Sequence, residues 1–263
     1  MMLKTKNETP LLTTDGKYIS KFEYFCVLLS RAGGMFGTTL TGSLAAAFLH
    51  ELYYGPAGVD ADGIANILAV QTTLTTICGI LFGIIGGFIV QNWKTSLGRY
   101  RHWYFICLVP TFLLTVLFFY VPQGWSIQQM NLLRYGIACC QSAFNVFNVH
   151  SQNLVQVISP NHKEKKTVAT IWQLSYYIGY GGAYIGTFVY GLFSDDKNQM
   201  YMTLGVVAGV VTLFGNLMCG LFCKERIELP KKEKVKVSKT LLTLFKYKNY
   251  RAYQYMTWVN NFA

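Results

Sequence analysis

Charge is what this sequence has least of. Only 13% of its 263 residues are Asp, Glu, Lys or Arg, about half the share of a soluble domain. Residues 63–93, 135–161, 167–194 and 198–223 contain none at all. Runs of that length exceed the roughly 20 residues that cross a hydrocarbon core, and soluble core helices are seldom so long. Acidic residues are scarcest where an enzyme would need them. Inside the apolar stretches there are no paired carboxylates, no His/Asp cluster and no nucleophile beside a base, so catalysis is not expected. Cysteine is present in an odd number, seven, all in or at the ends of the apolar runs. That favours packing thiols over a disulfide framework. Neither Cys139-Cys140 nor Cys219-x-x-x-Cys223 has zinc spacing with a His partner, so no metal or cofactor is expected. A secretory leader is also missing: the first 24 residues are polar and the first apolar run is too long for a cleaved one.

What is present is a set of six apolar spans, at about 25–50, 63–90, 103–121, 127–158, 167–193 and 200–223. Their connections alternate in sign. Twenty of the 23 Lys/Arg fall in 1–24, 91–102, 159–166 and 224–251, whereas 51–62, 122–126 and 194–199 hold only Lys197 beside Glu51, Asp60, Asp62, Asp195 and Asp196. A net charge of +11 in a soluble chain would point to nucleic acid. Distributed this way it is the positive-inside pattern, with an even number of spans and both ends of the six-helix unit cytoplasmic. The expected fold is an all-α, multi-pass protein of the plasma membrane. Residues 1–24 form a cytoplasmic tail and 25–223 a six-helix bundle. Residues 224–251 form a basic linker, in which Leu241, Leu242, Leu244 and Phe245 give an amphipathic helix on the inner leaflet. At 252–263 a seventh span begins and is cut short, so a C-terminal six-helix half is expected to be missing. Six spans and a long basic loop make the outline of a major facilitator half.

One loop is more specific. Between spans two and three the chain runs from Gly87 through Gln91, Gly98, Arg99, Tyr100 and Arg101 to Trp103. This stretch resembles the loop signature of the glycoside–pentoside–hexuronide:cation symporters, the melibiose-type branch of the major facilitator superfamily. Met35-Phe36-Gly37, Asn148 to Leu154 and Lys224-Glu225-Arg226 fall at related landmarks. The resemblance implies a sugar transporter whose gating loop comprises Gln91, Gly98, Arg99 and Arg101, the two arginines latching helix ends through ionic contacts. It also exposes a departure. The acids of the family's cation site are replaced here by Met35, Gly79, Gly83 and Asn148, and the loop acid by Gln91. Cation coupling wants oxygen ligands with negative charge or a titratable group in the membrane, so uniport, or coupling through the other half, is expected.

Span four carries Gln141, Asn145, Asn148, Gln152 and Gln156 at spacings of 4, 3, 4 and 4, one stripe on an α-helix. Amides both donate and accept, which suits sugar hydroxyls; the plainer alternative is hydrogen bonding between helices. His150 lies off that stripe and is either a proton relay or a neutral histidine bonded to a neighbouring helix. Trp172 and Tyr176, with Tyr180, repeat every fourth residue in span five, and Gln173 adds an amide; such a face stacks on a pyranose or simply packs. Arg31 and Arg134 are the strong charges inside the spans. Each snorkels, bonds to backbone carbonyls or binds an anionic solute. Gly79, Gly83, Gly87 and the pair Gly182 and Gly186 have the spacing of close helix contacts. The function expected is alternating-access transport of a sugar or glycoside. Alternatives are an amphipathic or anionic solute, such as a lysolipid or uronate, and a non-transporting membrane subunit.

Overall fold

The computed structural model describes residues 15–93, 95–193 and 195–227, with 247, 251 and 255; the side chains of 91 and 149–152 lie outside the described set. The chain divides into two units, Met1–Ile227 and Glu228–Ala263. In the second, the Arg251 N–H donates to the Tyr247 carbonyl; the linker helix and the seventh span expected there lie outside the described residues.

The described residues of the first unit form helices and their connections: α1 (Lys21–Thr41), α2 (Ala45–Phe48) with a π-helical turn at Leu49–Tyr54, α3 (Ala61–Asn92), α4 (Arg101–Phe118), α5 (Ile127–Gln152), α6 (Leu154–Val157), α7 (His162–Phe193) and α8 (Lys197–Phe222). No strand occurs among the described residues. Side chains cap these helices. Ser20 and Glu23 form a capping box at α1; Asp60 accepts from Gly63 N–H and Asp196 from Gln199 N–H. Helices α3, α4 and α8 are long and apolar enough to cross a bilayer, and α1 joined to its bent continuation makes a fourth such span. Helices α5 and α7 are as long but more polar.

The first span is not one straight rod. It breaks at residues 42–44 and bends by 41°. Just before the break, Thr38, Thr39 and Thr41 return their hydroxyls to the carbonyls of Gly34, Met35 and Gly37. Threonines bonded back in this way bend helices, and a Gly-Ser pair follows.

The principal pairings have a pattern. Helix α1 packs on α8 and α7, α5 packs on α4 and α3, and α4 packs on α8. Exchanging α1 with α5, α3 with α7 and α4 with α8 leaves this pattern unchanged. It describes two three-helix units joined at α4–α8, with α1, α3 and α4 exchanging for α5, α7 and α8, the pattern expected of a chain built from two three-helix repeats. The expected packing glycines are not the closest contacts. A Cβ at Gly83 or Gly87 would meet nothing within 4 Å, whereas at Gly79 it would lie 3.2 Å from Ser142 Oγ of α5 and at Gly182 or Gly186 in ordinary contact with Phe36 or Leu204. The tight approaches to another helix's backbone are Gly179 of α7 against Ala32 of α1, Gly215 of α8 against Leu29 and Ser30, and Gly33 against Val211 and Thr212. Four-residue spacing identifies glycines that share a face but not which face has a neighbour.

At the end with the acidic loops, Phe48, Tyr53, Tyr54, Phe118, Phe119 and Tyr201 form an aromatic core. Arg134 is buried in it, 2% exposed. Its guanidinium lies 3.9 Å from the Phe118 ring centre and 4.9 Å from that of Tyr53, and Nη1 donates to the Phe118 carbonyl. That carbonyl closes α4, where free carbonyls and the helix dipole both favour a cation. Of the roles open to Arg134, bonding to backbone carbonyls is the one realised.

At the basic end, Glu164 joins the start of α7 to the segment leading into α1. It accepts from the N–H groups of Tyr18 and Ile19 and from the Ser159 hydroxyl, at 2.9, 3.2 and 2.6 Å. Burial alone would raise its pKa. The Ser159 hydroxyl, the two N–H groups and the nearby Arg226 outweigh burial and hold the carboxyl below its ordinary value of 4.5. A depressed carboxyl contributes stability above its unfolded pKa and loses it as pH falls through the folded value. Thermal unfolding of the purified protein should therefore show a loss of stability on acidification below 4.5 that Glu164→Gln lacks.

Candidate functional site

Two adjoining hollows open between α1 and α5, of about 60 and 250 Å³. They share Gly34 and Thr38 of α1 and Asn145 and Asn148 of α5. The gap exists because the two helices that the pairing pattern exchanges do not pack closely on one another. Gly34 keeps it open, since a Cβ there would point into empty space. Deeper in, Gln141 lines the smaller hollow, while Arg31, Met35, Tyr104, Trp172 and Asn216 line the larger.

The structure thus brings together Arg31, Gln141, Asn145, Asn148 and Trp172 from three helices, α1, α5 and α7. Tyr176 joins through Arg31. The guanidinium lies 4.5 Å from the Trp172 ring centre and 5.6 Å from that of Tyr176, a cation–π stack. Gln173, the residue next to Trp172, is exposed and lines neither hollow. Gln141 also serves a packing role, its Nε2 donating to the Leu114 carbonyl across α4 at 3.3 Å. The side chains of Gln152 and His150 lie outside the described residues. Of the four positions that the melibiose-type resemblance aligns with the family's acids, Met35 and Asn148 line the site. Gly79 and Gly83 on α3 do not.

Most hydroxyls around the hollows are committed. Thr38 donates to the Gly34 carbonyl and Thr115 to the Thr111 carbonyl, each at 2.8 Å. Ser30 donates to Asn216 Oδ1 at 2.7 Å. Asn216 was not visible as a site residue in the sequence. Its signal is that it is the one amide far from either end of the apolar run 198–223.

The loop at the basic end works differently from the ionic latch expected. Gly98 has φ +115, in the left-handed region where glycine is favoured. The turn it makes, closed by paired Thr95 and Gly98 backbone bonds, delivers three N–H groups to one carboxylate. Arg99, Tyr100 and Arg101 N–H donate to Glu225 at 3.0, 2.6 and 3.0 Å. Glu225 therefore caps α4 from beyond α8, an acid placed at a helix N-terminus. The Arg101 guanidinium crosses to the carbonyls of Gly220 and Leu221, at 2.8 and 2.9 Å. Arg99 takes part through its backbone. The ionic contact at this end belongs to Arg226, 2.8 Å from Glu23. Helix ends offer free N–H and C=O groups, and here the charged side chains use those before one another. The side chain of Gln91 lies outside the described residues.

An all-α bundle of long helices, several of them apolar enough to cross a bilayer, around a polar cavity defines an integral membrane protein of transporter type. The chain belongs to the family described as MFS/sugar transport protein, whose model matches residues 30–259, and hence to the major facilitator superfamily. No curated protein matches it significantly.

Proposed function

We propose that this chain forms the N-terminal half of a secondary transporter that moves a sugar or glycoside by alternating access. The observation that carries this is the convergence of Asn145, Asn148, Arg31 and Trp172 on one cavity. Amides offer donors and acceptors to hydroxyls, and an indole face suits the apolar face of a pyranose. The sugar-transport description of the family supports the same class. A second six-helix half would close the open side of the cavity, with the solute near the midplane between halves. The basic end, with the N-terminus, faces the cytoplasm of the plasma membrane by the positive-inside rule. There the Glu225 and Glu164 contacts tie helix ends together. The melibiose-type architecture is retained without its carboxylates in this half, so flux through this half draws on no cation site here.

The test is uptake of a radiolabelled glycoside panel by the full-length protein in proteoliposomes. The double variant Asn145→Ala/Asn148→Ala should lower kcat/KM about tenfold or more, since each buried amide contact is worth roughly 0.5–1.5 kcal/mol. Undiminished uptake by that variant would remove the cavity from the solute path. Uptake that collapses when a sodium gradient is withdrawn would locate a cation site in the other half.

A further inference from the structure

Two arginines lie within this bundle, Arg134 buried and Arg31 half-buried, and they are furnished differently. Arg134 has aromatic rings on its faces and a helix-end carbonyl on Nη1; its Nη2 is buried without a partner among the described residues, and it lines neither hollow. Arg31 has the rings, Trp172 and Tyr176, but its Nε is buried with no hydrogen-bond partner among the described residues. A guanidinium stacked on a ring presents its N–H groups edge-on, in the plane that matches a carboxylate or phosphate. Arg31 lines the larger hollow. A second residue with an unpartnered donor lines it too. Asn216 is 3% exposed; Ser30 fixes its Oδ1, and its Nδ2 is left buried without a partner among the described residues. Both residues line one cavity. No Asp or Glu lies inside any of the six spans to neutralise the cation, and a desolvated charge is costly until paired. Surplus donors and one positive charge call for a group that only accepts and is negative.

We propose that the solute is an acid, a carboxylate or phosphate ester on a sugar-sized body, whose anionic group seats on Arg31 and Asn216. This rests on the transporter reading of the same cavity and names its substrate class. The neutral part of the solute lies toward Asn145 and Asn148, and the anionic part toward α1 and α8.

The experiment measures binding of three probes to full-length protein in nanodiscs by titration calorimetry: methyl glucoside, glucuronate and glucose 6-phosphate. One acid should bind about tenfold or more tighter than methyl glucoside, the increment of a charge-assisted contact. Which acid it is separates carboxylate from phosphate. Arg31→Gln should cost that acid about tenfold or more, and more than it costs methyl glucoside, so that the preference for the acid is lost. Arg31→Lys should keep part of the preference, and Asn216→Ala should weaken the acid more than methyl glucoside. Thermal unfolding checks that each variant is folded; if Arg31→Gln is not, Arg31→Lys and Asn216→Ala decide. Equal affinity for all three probes, or an acid preference that survives these substitutions, overturns the inference. Binding of methyl glucoside alone overturns it while sparing the transporter reading. Binding of none of the three by folded protein overturns both.

Discussion

Gly179→Val should be among the most damaging single substitutions in this protein, costing about 3 kcal/mol or more. Gly179 sits where α7 crosses α1. A Cβ built there meets the Ala32 carbonyl and lies 2.8 Å from Met35 Cβ. The obstacle is backbone, which cannot rotate away. Relief requires α7 to move off α1, and that shift would pull Trp172 and Tyr176, two turns and one turn along α7 from Gly179, away from Arg31. Loss of thermal stability in detergent and loss of solute binding should therefore appear together. Gly179→Ala should show the same effect in smaller degree. Gly34→Ala is the control: its added methyl meets nothing within 4 Å, so stability should be unchanged or slightly raised. If Gly179→Val melts like the wild type, α1 and α7 do not cross as described.

Glu225→Ala should be the second large effect. The carboxylate accepts three backbone N–H groups from residues 99–101, and truncation leaves all three to water or to nothing. Hydrogen bonds to a charged group are worth roughly 1.5–3 kcal/mol each when buried, but this site is only half-buried. A total near 2 kcal/mol is the expected cost. Glu225→Gln should retain part of it, because an amide oxygen still accepts. The functional consequence is more specific than the thermal one. With α4 uncapped, the loop between α3 and α4 is released, and its backbone amides should lose protection from hydrogen exchange at residues 98–101. Protection there equal to wild type would show that the loop holds its shape without the carboxylate. Gly98→Ala probes the same contact from the other side, since its Cβ would press on that carboxylate in a backbone region unfavourable to alanine.

Much of the bundle was legible because charge placement is a one-dimensional signal. Where Lys and Arg fall along the chain marks the ends of α3, α4 and α8 without reference to packing. Arg31, Asn145, Asn148 and Trp172 were legible too, because polar groups in apolar runs are costly and demand a reason. Their convergence was not, since it depends on which helix faces which. Gln141 and Gln173 show the limit. Both are amides on the expected helices, yet one bonds to α4 and the other faces outward. The break after Thr41 depends on hydroxyls folding back on their own helix, which no composition records. Glu225 stood in plain view after the last apolar run, but its three partners lie more than a hundred residues earlier.

The exchange of α1 with α5 has a consequence for stereochemistry. Two backbones that occupy equivalent places line the same hollow with unlike surfaces. One carries glycine, threonine and a guanidinium; the other carries carboxamides and Phe144. A molecule held between them meets a different partner at each end and cannot be turned around without losing its contacts. The protein should discriminate a solute from its enantiomer, and should accept each molecule in a single head-to-tail sense.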